Sequence, residues 1–237
     1  MLFRSRTMKH MDGNKKRVRQ QGFSLIELMV SLTILSVVAG VVVDGLMKLQ
    51  RRNTMETTKV DLTQESREFM DQIVSDIHQS GYPALKMFDP ATLVSANNCT
   101  LDINVSCGLV NVTPSSLQFE ADVDGSGTVS EVFIQLNPLN GPCPCIIQRG
   151  TVTKAAWINN GTPPFYYTEV NNVNNTNVFL GYDNAGNNVA LPGACAYPCL
   201  NISAIEITLN VRSPFAESNG IFQTITMSTA VKIHNIN

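Results

Sequence analysis

Glu27 is the one charged side chain in a 21-residue apolar run from Phe23 to Val43 (FSLIELMVSLTILSVVAGVVV). A carboxylate inside a membrane helix costs about 2.5 to 3.5 kcal/mol at mid-bilayer depth, so it demands a cation. The run contains no Lys, Arg or His. A cut after Gly22 would create the missing charge, because the freed α-amino group of Phe23 is a cation a few residues before Glu27. Every copy of the chain would then carry both charges, each available to a neighbouring copy.

Two other groups of residues have chemistry in their spacing. Asp122, Asp124 and Ser126 alternate in the string Asp122-Val123-Asp124-Gly125-Ser126-Gly127-Thr128-Val129-Ser130, which resembles the front of an EF-hand calcium loop. The twelfth position is Phe133 where that loop needs a bidentate Glu. A turn between two strands explains the segment without a metal, so no cofactor is expected, and these three residues are the only calcium candidates. The six cysteines fall into close pairs: Cys99 with Cys107, Cys143 with Cys145 around Pro144, and Cys195 with Cys199. Cys99 and Cys107 suit a local bridge. Cys143 and Cys145 read as too close for an easy mutual bond, and are expected to pair across to Cys195 and Cys199, although six cysteines allow 15 connectivities. A four-cysteine zinc site is the rival, and its C-P-C and C-x3-C spacing is poor for zinc. His10, His78 and His234 lie apart, with no local Ser, Cys or acidic partner, so no catalytic residues are assigned and the chain is not expected to be an enzyme.

Elements must place these groups. At about 1.5 Å per residue, the apolar run makes a helix of roughly 30 Å, the thickness of a bilayer core. No Pro occurs from Met1 to Tyr82, and Leu62, Phe69, Ile73 and Ile77 fall on one stripe, widened by Val60, Met70 and Val74. Gly81 and Pro83 stop the pattern. One helix from about Ser24 to Ser80 follows. Beyond it, short alternating runs read as strands: 116–121, 131–136, 145–149, 178–182, 202–211 and 221–233, the last two an antiparallel pair joined through 214–220. The fold class is α+β: a long N-terminal helix on a C-terminal antiparallel sheet with disulfide-stapled loops.

The string Gly22-Phe23-Ser24-Leu25-Ile26-Glu27-Leu28-Met29-Val30-Ser31-Leu32, preceded by basic residues, closely resembles the class III signal of type IV pilins and type II secretion pseudopilins. The resemblance implies cleavage after Gly22 by a prepilin peptidase, methylation of the Phe23 amine, and pairing of Glu27 with that amine on an adjacent subunit during assembly. It implies a division into a basic leader (1–22), a membrane or filament-core segment (23–43), an amphipathic helix (44–81) and a β-rich domain (83–237). The stretch from Arg67 to Tyr82, with an acidic and then an aliphatic residue before a Gly-Tyr helix exit, also resembles minor pilins of the PilW type and J-class pseudopilins. Two features depart from the pattern. The leader is long if translation starts at Met1 rather than Met8 or Met11, and Asp44, near the end of the apolar run, reads as a marker of the membrane interface. An ordinary signal peptide cut near Val37-Val38-Ala39 is the rival, and it leaves Glu27 unexplained.

Charge follows the same division. Residues 1–22 hold seven of the 17 basic residues and one of the 19 acidic ones, so the remaining 215 carry a formal −8. An acidic body argues against general nucleic-acid binding. The basic flank favours a cytoplasmic N-terminus, and cysteines confined to residues beyond 98 favour an oxidising compartment for the rest. The expected partners are other pilins, the prepilin peptidase and methyltransferase, and an inner-membrane assembly platform. The expected function is a minor pilin that initiates or caps a pilus, with a secretion pseudopilin as the alternative. An adhesive or DNA-capturing tip module, presenting the Asn-rich residues 170–177, is the alternative from another class.

Overall fold

A computed structural model describes residues 22–95, 98–138, 142–191, 199, 201–216 and 220–233. Helix α1 runs Leu25–Gln79, 55 residues in all, in line with the absence of proline. The chain divides into two compact units within it, Met1–Arg52 and Asn53–Asn237.

In the first unit every apolar side chain described is exposed, from Phe23 at 81% down to Val43 at 48%, and α1 is long and apolar enough to cross a membrane by length and composition. Ser31, Thr33 and Ser36 spend their hydroxyls on the carbonyls of Glu27, Met29 and Leu32, one turn back. Such back-bonding lets a hydroxyl sit in an apolar helix without an unmet donor. Asp44 pairs with Lys48 at 2.7 Å on the exposed surface.

The second unit is an antiparallel sheet with the later part of α1 in its core. Its strands are β1 (Leu109–Thr113), β2 (Ser116–Ala121), β3 (Ser130–Asn137), β4 (Cys145–Thr153), β5 (Phe165–Val173), β6 (Phe179–Tyr182), β7 (Asn188–Val189), β8 (Ala204–Ala216) and β9 (Phe222–Lys232), with a short helix α2 (Lys154–Asn160) after β4. They run in the order β1-β2-β3-β4-β5-β8-β6-β7, and β9 pairs with β8. Phe179 N donates to Pro114 O at 3.1 Å and Cys199 N to Leu109 O at 2.9 Å, so the sheet curls and its ends meet. Leu62, Phe69, Met70, Ile73 and Ile77 of α1 join Phe119, Ile134, Ile147, Ile205, Ile207 and Leu209 in one buried cluster. Val60 does not, and is 63% exposed. Two residues before Leu62, it points about 200° around the helix from the stripe.

Strands β2, β3, β4, β6, β8 and β9 match the alternating runs in the sequence, and β8 pairs with β9 from Ala204↔Lys232 to Ala216↔Phe222. Strands β1, β5 and β7 and helix α2 are additional. In β5 only Val170 and Val173 are fully buried, so its aromatic and Asn residues show no clean alternation; pairing with β4 forms the strand. Residues 170–173 are therefore strand, and not the Asn-rich loop expected there. Asn175, beyond the strand, donates to Asn177 O and Thr208 O and is spent on the fold.

Candidate functional site

Gly22, Phe23 and Glu27, the residues expected to serve processing and assembly, sit at the start of α1. Ser24 O accepts from Glu27 N at 3.0 Å and Leu28 N at 3.1 Å, opening the helix just after Phe23. Gly22 and Phe23 precede the helix and are exposed. Glu27 lies in the first turn, where the positive end of the helix dipole favours a carboxylate. Its carboxylate makes no hydrogen bond or ion pair among the described residues. The arrangement is a lone acid on an exposed apolar helix, chemistry that suits pairing with a cation brought by another molecule.

A second group of charges is buried where α1 ends against the sheet. Gly81 leaves the helix at φ 81°, the left-handed conformation a glycine adopts without penalty, and its N–H donates to Glu120 O at 3.1 Å and Ser106 Oγ at 3.1 Å. Ser106 Oγ donates onward to Glu120 O at 2.6 Å. The Glu120 and Lys154 side chains are fully buried and meet at 2.7 Å. Lys154 Nζ also donates to Cys99 O at 2.8 Å and Val105 O at 2.7 Å, so its three protons all have acceptors. Glu120 Oε2 takes a further bond from Cys107 N at 2.6 Å. Glu131 lies beside this pair, 2% exposed, with Gln118 Nε2 at 3.0 Å. Burial first, and the Glu120 charge second, push its carboxyl up to about 8.

Nearer the middle of the sheet, Asp76 of α1 is buried against Arg149 of β4, with Nε at 2.9 Å and Nη2 at 2.8 Å from Oδ2, while Gln72 Nε2 donates to Oδ1 at 2.7 Å. Asp76 is the acidic residue before Ile77 and the Gly-Tyr exit. Its place on the stripe with Phe69 and Ile73 was a readable signal that it is buried and needs a cation. No comparable signal marked Lys154, whose role depends on where α2 comes to rest.

The cysteines require one correction. Cys99 and Cys107 are bonded, with Cα atoms 5.3 Å apart, as expected. Cys143 and Cys145 are bonded to each other, not across to the later cysteines. Residues two apart in an extended strand are about 6.6 Å apart, but here the chain turns at Pro144 and the Cα separation is 4.5 Å, inside the range a disulfide needs. Bonded in this way, these four sulfurs offer no thiolates to zinc. Cys199 is disulfide-bonded and buried, while Cys195 lies outside the described residues. His78 is exposed on α1; His10 and His234 lie outside the described residues.

Asp122, Asp124 and Ser126 occupy the loop between β2 and β3. Asp124 Oδ1 accepts from Ser126 N at 3.0 Å and Asp122 Oδ2 from Gly127 N at 2.9 Å. Ser126, through its hydroxyl and its N–H, holds the Asp124 carboxyl below its ordinary value.

The family described as the prokaryotic N-terminal methylation motif matches residues 17–43, a span that contains Gly22, Phe23 and Glu27. No curated protein and no solved structure matches the chain. The match supports a type IV pilin-like protein, a subunit of the pilin or pseudopilin class, and the long helix with its curled antiparallel sheet has that layout. The motif implies processing by a prepilin peptidase, assembly with other pilins and anchoring in a membrane, and its family is structural rather than catalytic.

Proposed function

We propose that this chain is a minor type IV pilin, cut between Gly22 and Phe23 and built into the initiating or capping end of a pilus. The observation that carries the reading is the Glu27 carboxylate, without a partner among the described residues, on a helix segment whose apolar side chains are all exposed. In this reading the methylated Phe23 amine of a neighbour supplies the cation, and the exposed side chains of the first unit pack against other subunits' helices. In the bilayer these side chains are already away from water, so association rests on close van der Waals packing between helices, and Glu27 selects the axial register. The β-rich domain is held outside the cytoplasm, where its disulfides persist, and contacts other minor subunits.

The test is Glu27→Ala in a strain that still makes the peptidase. Cleavage is expected to stay largely intact while surface pili fall by an order of magnitude or more, and normal piliation removes the proposed role. Deleting the gene separates the two members of the class, since loss of pili with intact secretion supports the pilin, and loss of secretion with intact pili reassigns the chain to a pseudopilus.

A further inference from the structure

The loop between β2 and β3 contains a buried carboxylate oxygen that the protein does not satisfy. Asp122 is 7% exposed; its Oδ2 accepts from Gly127 N at 2.9 Å, whereas Oδ1 is shut off from solvent with no hydrogen-bond partner. A carboxylate oxygen left so costs more than an ordinary missing bond, because the group carries charge. Asp124, two residues on, is exposed, and its Oδ1 accepts from Ser126 N at 3.0 Å. A buried carboxylate oxygen that no donor in the chain meets is relieved by a cation.

We propose that Asp122, Asp124 and Ser126 bind a calcium ion. The donors are all oxygen, which selects a hard cation, and a loop with glycines at 125 and 127 adapts to the irregular shell that calcium accepts and magnesium does not. Gly127 has φ 80°, so the chain can bend around the ion at the position where EF-hand loops carry their glycine. Phe133, in the place of the missing bidentate Glu, packs edge-on against Trp157 with ring centroids 5.0 Å apart and contributes nothing. Two carboxylates and one hydroxyl make a weak site, with a Kd of about 0.1 to 1 mM, the range of extracellular modules. Such a site fills where calcium is millimolar, which is where the proposed function puts this domain; binding by the purified chain does not depend on that reading.

The ion would act on the helix exit. Asp122 N donates to Tyr82 O at 3.1 Å, and the adjacent Glu120 O takes the Gly81 N–H. Fixing the Asp122 side chain therefore steadies the backbone to which residues 81 and 82 are bonded.

The test is calorimetric titration of the full chain in detergent with calcium chloride, and separately with magnesium chloride. A saturable one-site isotherm with calcium is expected, with no saturation by magnesium and affinity about tenfold or more weaker in Asp124→Asn and Asp122→Asn. Asp124 is exposed, so its variant keeps the fold, and near-ultraviolet circular dichroism checks the other. No saturable heat up to about 10 mM calcium with a folded chain overturns the site. Undiminished binding by Asp124→Asn, or equal binding of magnesium, overturns it as well.

Discussion

Glu120 and Lys154 are costly residues to bury, and both are well satisfied. Each ion loses its hydration, and the loss is offset only because Lys154 finds three acceptors and Glu120 accepts from both Lys154 and the Cys107 N–H. Lys154→Met removes one side of the arrangement and leaves a buried carboxylate, so a loss of about 3 to 5 kcal/mol in denaturant unfolding is expected, with a smaller loss when Glu120→Gln is added. Glu131 contributes differently. Its folded carboxyl keeps a proton up to about 8, while an unfolded one releases it near its ordinary value of 4.5. Between those values folding takes up a proton, so Glu131's contribution is fully present below about 4.5 and is lost as pH rises through about 8. Stability measured across that window is expected to fall with rising pH, and Glu131→Gln is expected to flatten the slope. An unchanged slope would mean that another group titrates.

Among the elements, α1 changes environment along its length. Up to Arg52 its apolar side chains face outward; from Leu62 to Ile77 one stripe is buried in the core of the second unit. Ile73, 1% exposed, has no room to be replaced by solvent, and Ile73→Ala is expected to cost about 2 to 5 kcal/mol in the same unfolding measurement. The Asp76 to Arg149 pair crosses from this stripe to β4 and fixes the rotation of the helix on the sheet. Strands β8 and β9 form the longest pairing, with Ile205, Ile207 and Leu209 fully buried from one face of β8. Disulfides hold the polar connections: Cys99–Cys107 closes the loop whose carbonyls Lys154 binds, and Cys143–Cys145 pins the turn before β4.

For the whole molecule, in the proposed reading, processing is the event that turns a membrane-held chain into a subunit. Replacing Gly22 with Trp is expected to leave the precursor uncut, read as an unshifted mass, whereas the unaltered chain is expected to yield an N-methylated Phe23 terminus. A free Gly40 terminus would instead reveal an ordinary signal peptide. Either product keeps the β-rich unit, but only the first keeps the exposed apolar helix needed for packing into a filament.

The N-terminal motif was legible because it is local: a glycine, a phenylalanine, a glutamate and an apolar run identify themselves by order and spacing, whatever the rest of the chain does. The same holds for the uninterrupted helix, the stripe from Leu62 to Ile77 and the β8 to β9 hairpin, where periodicity alone reports which face is buried. Residues distant in sequence were decided by tertiary structure. Lys154 becomes an ion-pair partner only when β4 and α2 bring it to β2; β5 becomes a strand only through its neighbour; the Cys143–Cys145 bond depends on a turn that composition did not specify. For Asp122 and Asp124, the spacing raised calcium and the missing Glu argued against it; the fold then left one buried oxygen without a donor. Unmet hydrogen bonds of this kind belong to packing, because only packing determines which polar atoms lose their water.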